Sequence, residues 1–375
     1  MKAFIIAARR TAVAPRRGAF ANIEAHDLAA PVLRACLDDA GLDGADVSEA
    51  ILGNALSGGG NVARLASLAA GLPDSVPALT VDRQCCSGLD AIVLAARLIE
   101  AGAADAILAG GVESWSRAAI RAVRPHRSDE APVFYDRPPF APWPERDPDM
   151  IEAAAALAQA ENISRAEQSS FAVASHARAL AARERMKPEI APLAGLDHDA
   201  FARPLTSKLS MRAPVLAGDG DCAIDATGVA VEADAAAAVL VVSEAAMQRL
   251  GCTGLEFVSG LAIGSAPEQP AMAIVPAVRR LLEQTGIAMA DIDRIELMEA
   301  FAAQALSNIA HLGLDPARIN VGGGALSRGH PVGASGAILM VRLFHELVGH
   351  PSAALGLATI AAAGGLGTAA MVRRS

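Results

Sequence analysis

Aromatic residues are scarce in this 375-residue chain, with 9 Phe, 2 Trp and 1 Tyr, so a core must be assembled from Ala, Val, Leu and Ile. Positive charge is also short. The 32 Lys and Arg face 41 Asp and Glu, a formal net charge of −9, whereas a nucleic-acid partner requires a basic surface. The five cysteines are odd in number and lack metal-ligand spacing, which argues against a disulfide scaffold and against a metal site; a reducing cytoplasm fits them. No segment reads as a signal peptide, because the apolar stretch after Lys2 is short and Arg9-Arg10 follow it at once. The uncharged run 351–372 is long enough to span a bilayer, but Gly364, Gly365 and Gly367 interrupt it. It is read as a buried strand–turn–strand, and no membrane partner is expected. What the chain has in quantity is small apolar residues: 53% are hydrophobic and 19% charged, enough for a large core and too apolar for a disordered chain.

A duplication organises this material. Residues 30–55 align with residues 275–300 at a constant offset of 245. Pro31 falls on Pro276, Arg34 on Arg279, Gly41 on Gly286 and Asp46 on Asp291, with apolar matches between. Each copy reads as an amphipathic helix ended by glycine and followed by a strand. Further along, Ser87-Gly88 and Ser335-Gly336 each open an apolar helix that leads to an apolar strand, the offset having drifted to 248. Strands that are continuous apolar runs suit a sheet covered on both faces. The expected fold class is α/β, with two duplicated halves packed about a pseudo-two-fold axis. The segment between them differs: it holds both tryptophans, the lone Tyr135 and the proline cluster 136–148, and reads as an inserted loop domain with a binding surface.

Two places could carry chemistry. Cys85, in VDRQCCSGLDA, sits between an apolar strand and a helix, where unpaired backbone N–H groups and the positive end of the helix dipole favour a thiolate. His330 lies in the glycine-dense segment 320–337, five residues before Ser335-Gly336. That segment lacks the Gly-Lys-Ser/Thr of a phosphate-binding loop. If the halves pack about a two-fold, the ends of the two equivalent helices converge and bring thiol and imidazole together, a recurrent arrangement for acyl transfer. Arg328, two residues before His330, is read as a solvent-facing loop arginine.

The segments VDRQCCSGLDA, MEAFAAQAL, NVGGGALSRGHPVGASGA and GLATIAAAGGLG, in this order and spacing, resemble those of the thiolase family, and the resemblance runs from Ala3 to Arg373. It implies the thiolase fold: an N-terminal half over residues 1–115 to which 222–250 returns, a loop domain over 116–221 covering coenzyme A, and a C-terminal half over 251–375. It implies a homodimer or homotetramer, with a hetero-oligomer as a further option. It also implies no permanently bound cofactor, a coenzyme A thioester as substrate, Cys85 as acylated nucleophile and His330 as its activator. Arg203, Lys208 and Arg212 become candidates for the coenzyme A phosphates, with Phe301 and Gly329 as further contacts.

Three positions depart from the family pattern. Met298 replaces the Asn of Asn-Glu-Ala-Phe, Ala361 stands where a second cysteine acts as acid/base, and Ala230 replaces a serine of the pantetheine loop. A positioned base contributes about 10²–10⁴-fold, so ordinary acetoacetyl-CoA chemistry should be impaired unless Cys86, Glu299 or a partner chain substitutes. Acylation of Cys85 needs none of these groups. The expected activity is thiolase-like carbon acyl transfer. The alternatives are acyl transfer to another nucleophile or to a decarboxylating malonyl unit, and a non-catalytic acyl-CoA-binding subunit.

Overall fold

The runs of small apolar residues form strands in a computed structural model that describes residues 1–374. The first half contributes β1 (Ala3–Arg10), β2 (Glu49–Gly53), β3 (Ala78–Val81), β4 (Ala106–Ser114) and β5 (Ala233–Ser243). The second contributes β6 (Leu255–Gly264), β7 (Arg294–Leu297), β8 (Leu355–Ala362) and β9 (Leu366–Arg374). They share one mixed sheet in the order β7-β8-β9-β6-β1-β5-β4-β2-β3. Every residue of β4 and β5 is buried, as expected of central strands covered on both faces.

The duplication is visible in the pairing pattern. Outward from the junction, β1 pairs antiparallel with β5, β5 antiparallel with β4, and β4 parallel with β2. In the other direction β6 pairs antiparallel with β9, β9 antiparallel with β8, and β8 parallel with β7. The parallel β2–β3 pair has its counterpart in the parallel bridge Ile295–Ile319. The halves meet where β1 runs antiparallel to β6. The uncharged C-terminal run is the antiparallel hairpin β8–β9, turning at Gly364-Gly365.

The named helices are α1 (Ala25–Ala40), α2 (Ser87–Glu100), α3 (Arg165–Met186), α4 (Ile274–Thr285), α5 (Ala302–Leu312), α6 (Ala325–Arg328) and α7 (Val332–Gly349). The duplicated helices α1 and α4 both end on a left-handed glycine, Gly41 and Gly286. Ser335-Gly336 lie inside α7 rather than at its start, so His330 stands only two residues before that helix. By length and composition α7 could cross a membrane, but it is a core helix with 15 buried residues.

Helices α2 and α7 cross at the two equivalent glycines. A Cβ on Gly88 would lie 2.7 Å from the Gly333 carbonyl oxygen, and one on Gly336 would lie 2.6 Å from the Leu89 nitrogen. Each glycine thus receives the backbone of the opposite helix. Residues 116–221 supply the hairpin Arg121–Val123/Val133–Tyr135 and α3, whose N-terminus carries the Ser164/Glu167 capping box. The substitution Gly336→Ala should destabilise the protein by about 1–3 kcal/mol through overpacking, measured by denaturant unfolding. Unchanged stability would mean that the helices have room to part.

Candidate active site

Cys85 is set by a tight turn between β3 and α2. Gln84 adopts φ 51°, a left-handed conformation that costs a non-glycine residue about 1–2 kcal/mol and is held by local hydrogen bonds. Its N–H donates to Asp82 Oδ1 at 2.8 Å, and the Ser87 hydroxyl donates to its carbonyl at 2.6 Å while accepting from Arg83 N–H at 2.7 Å. Cys85 is left half-buried, whereas Cys86 is buried with its Sγ 3.5 Å from the Ile360 carbonyl. The two thiols face different environments, and only the first faces the site.

His330 comes from the other half and is fixed at three points. Its N–H donates to the Val231 carbonyl at 2.7 Å, its carbonyl accepts from Trp115 Nε1 at 3.2 Å, and its Nδ1 lies 2.6 Å from Ser335 Oγ. The Ser335 hydroxyl donates its single proton to the Pro331 carbonyl at 2.9 Å. With the proton on that carbonyl, the hydroxyl is assigned as the acceptor of an Nδ1–H, the tautomer that leaves Nε2 as an acceptor. Nε2 faces Cys85 Sγ at 3.1 Å. Two backbone N–H groups, of Cys85 and Ala363, also lie within reach of the sulfur.

Burial decides the charge state of this pair. It pushes the Cys85 thiol up to about 12, against the lowering effect of the two N–H groups, with Glu113 and Asp82 raising it further. The same desolvation brings His330 down to about 4. Thiol and imidazole are both neutral at rest. The helix-end stabilisation of thiolate expected from sequence is outweighed by loss of water.

The other sequence candidates are dispersed. Glu299 is buried beneath the glycine-rich loop, where its carboxylate accepts from Asn320 Nδ2 at 2.6 Å, Ser175 Oγ at 2.7 Å and Leu326 N–H at 3.3 Å. Its pKa is raised by burial. A side chain at Gly324 would run into that carboxylate, so this glycine accommodates the protein's own buried acid. Phe301 is 7% exposed in an apolar cluster with Ala154, Ala158 and Ile163, and Gly329 packs on Ala233. Arg203, Lys208 and Arg212 lie on an exposed stretch, with the Arg203 guanidinium 4.3 Å above the Phe201 ring.

One expectation is corrected. Arg328 does not face solvent: it is 2% exposed and lies 3.9 Å from Glu296. Nearby, buried Arg10 pairs with Glu189 and Asp199, and Arg342 with Glu189 and Glu346. Arg328 belongs to a structural charge cluster, which removes it as a partner for the thiol or for a substrate carboxylate. Ser335 and the Ala363 N–H were not anticipated. The position of Ser335, five residues after a His-Pro pair and inside the following helix, is the signal that could have flagged it.

Comparison with known proteins identifies the family. The thiolase N-terminal domain model matches residues 3–245 and the thiolase C-terminal domain model matches residues 255–374. The chain belongs to the thiolase family. This thiolase is 40% identical over 375 residues to a Bacillus subtilis protein, YhfS, that carries the provisional name acetyl-CoA C-acetyltransferase, covering 98% of each chain. It is 36% identical over 382 residues to VraB of Staphylococcus epidermidis, which bears the same provisional name, covering 99% of this chain and 98% of the other. Among solved structures, it superposes on the Bacillus anthracis acetyl-CoA acetyltransferase with a TM-score of 0.91 and 31% identity, covering 100% of this chain and 99% of that one.

A neutral pair in this thiolase has a measurable consequence. The raised thiol pKa leaves only a small thiolate fraction at neutral pH, so iodoacetamide alkylation of Cys85, followed by peptide mass spectrometry, should accelerate with pH through pH 9 without levelling. A plateau by pH 7 would reveal a preformed thiolate–imidazolium pair and contradict the neutral state.

Proposed function

We propose that this thiolase is an acyl-CoA-dependent acyltransferase working through an acyl-Cys85 intermediate. The observation that carries the reading is the 3.1 Å approach of Nε2 to Sγ, with the ring proton held on the far nitrogen by Ser335. In the first half-reaction His330 takes the thiol proton as Sγ attacks the thioester carbonyl. The N–H groups of Cys85 and Ala363 receive the developing oxyanion, and the departing CoA thiolate recovers the proton from His330.

A route for the coenzyme A arm supports the same reading. The exposed basic residues Lys208 and Arg212 flank Leu209 and Met211, also exposed. Ser210 in this stretch lies 2.6 Å from Thr227 (Oγ to Oγ1), and the chain from Thr227 leads to Val231, whose carbonyl holds the His330 N–H. Four peptide links span at most about 14 Å, so the basic stretch and the support of His330 are joined by one short length of chain along which a pantetheine arm would lie.

For the second half-reaction, carbon acyl transfer remains the reading, and the surroundings of Cys85 favour a particular form of it. Met298 is 2% exposed and packs in the core, position 361 is alanine, Cys86 is in the core, and the Glu299 carboxylate is engaged elsewhere. Of the substitutes within this chain, Cys86 is turned toward the Ile360 carbonyl and Glu299 toward Asn320 and Ser175. A β-carboxyacyl-CoA acceptor needs no such base. Loss of CO2 supplies the electron pair for the new C–C bond, the Cys85 thioester bond breaks, and the departing sulfur takes up one proton from solvent, relayed by His330. A heteroatom nucleophile deprotonated by His330 is the other acceptor that this site accommodates.

The test is intact-mass analysis after incubation with a panel of acyl-CoAs. Wild type should gain one acyl mass, Cys85→Ala none, and His330→Ala should acylate about 10²–10⁴-fold more slowly. Free CoA, acetyl-CoA or malonyl-CoA added to the adduct then identifies the acceptor. Absence of an adduct with every donor would leave the chain a non-catalytic subunit and defeat the proposal.

A further inference from the structure

The reaction outlined above makes no use of Glu113, a carboxylate that joins the two halves at the site. Glu113 lies near the end of β4 and is 0% exposed. Its Oε2 accepts from Gly333 N–H at 2.9 Å and Ala55 N–H at 3.0 Å, and its Oε1 from Asn54 Nδ2 at 2.8 Å and Leu56 N–H at 3.2 Å. Gly333 is the second residue of α7, whose N-cap, Pro331, offers no side-chain acceptor. First-turn amides have no partner within their own helix and carry the positive end of its dipole. Glu113 therefore caps α7 from the opposite half.

Both ends of this contact lead to the reacting atoms. On one side Gly333 is three residues beyond His330 and two before Ser335. On the other, Asn54 donates its backbone N–H to the carbonyl of Val81 at 3.1 Å, and Val81 is the last residue of β3, four before Cys85. The turn carrying the sulfur and the helix start carrying the imidazole are thus tied to a single carboxylate. Four donors favour its ionised form, while burial pushes its pKa up to about 7.

We propose that Glu113 is a positioning residue that holds the start of α7 in register with the Cys85 turn, so that Nε2 faces the sulfur. The acylation assay for this inference rests on the acyl-Cys85 reading; alkylation by iodoacetamide does not.

The experiment follows acylation of Cys85 in the full-length chain by intact mass over time, for wild type, Glu113→Gln and Glu113→Asp. Misplacement of reacting groups lowers a rate constant, whereas a merely structural defect lowers the fraction of molecules able to react. Glu113→Gln should reach full amplitude with a rate constant reduced about 10–100-fold. Glu113→Asp should recover part of that rate, and its iodoacetamide alkylation, compared with wild type because the carboxylate charge is kept, should be slower. A wild-type rate constant in Glu113→Gln, or a reduced amplitude whose surviving fraction reacts at the wild-type rate, overturns the proposal. If Glu113→Gln does not fold, Glu113→Asp decides alone, since it keeps the charge and shortens the reach; a wild-type rate there also overturns it. Absence of any acyl adduct in wild type counts against the functional reading, and the alkylation comparison still judges Glu113.

Discussion

The site depends on one contact that neither half can make alone, the approach of an imidazole nitrogen to a thiol across the boundary of a duplicated fold. Cys85 precedes α2 and His330 precedes α7, and these helices occupy equivalent places in the two halves. Their N-terminal ends meet only because the crossing is built from glycine, with Gly88 and Gly336 each lying against the backbone of the other helix. A methyl group at either position would separate the helices and lengthen the contact on which acyl transfer rests.

The chemistry follows from the partial burial of this meeting point. Desolvation favours the neutral form of both partners, so on the proposed reading nucleophilicity is generated when substrate arrives rather than stored as a thiolate. Ser335 makes that possible by settling which ring nitrogen is free. The same apolar surroundings define what the site omits. With methionine at 298 and alanine at 361, acylation of the cysteine retains its groups while proton removal from an acceptor carbon loses its base. On the proposed reading, the second half of the reaction is directed toward acceptors that bring their own electron pair.

Much of this was legible in the residue order. The 245-residue offset located the two halves, and the placement of Cys85 and His330 before equivalent helices foretold their convergence. The C-terminal glycines marked the β8–β9 turn. What the order concealed was direction and long-range partnership. Arg328 sits in a loop-like glycine-rich string, yet its side chain turns inward to Glu296, where the distant Arg10, Glu189 and Asp199 join Arg342 and Glu346 in a buried cluster. Glu299 appeared as a candidate base beside Met298, but Asn320 and Ser175 claim its carboxylate. Glu113 carries no signal of its own in the sequence, and its four donors come from two remote segments. Nothing local in the sequence specifies such pairings; they arise when the sheet is assembled.

The central claim is that the resting His330 ring carries its proton on Nδ1 and presents a bare Nε2 to a neutral thiol. Nitrogen-15 NMR of the imidazole at neutral pH tests it directly. The predicted spectrum has a protonated, pyrrole-like Nδ1 and an unprotonated, pyridine-like Nε2 whose shift moves when Cys85 is replaced by alanine. Two protonated nitrogens, or a proton found on Nε2, would contradict the account.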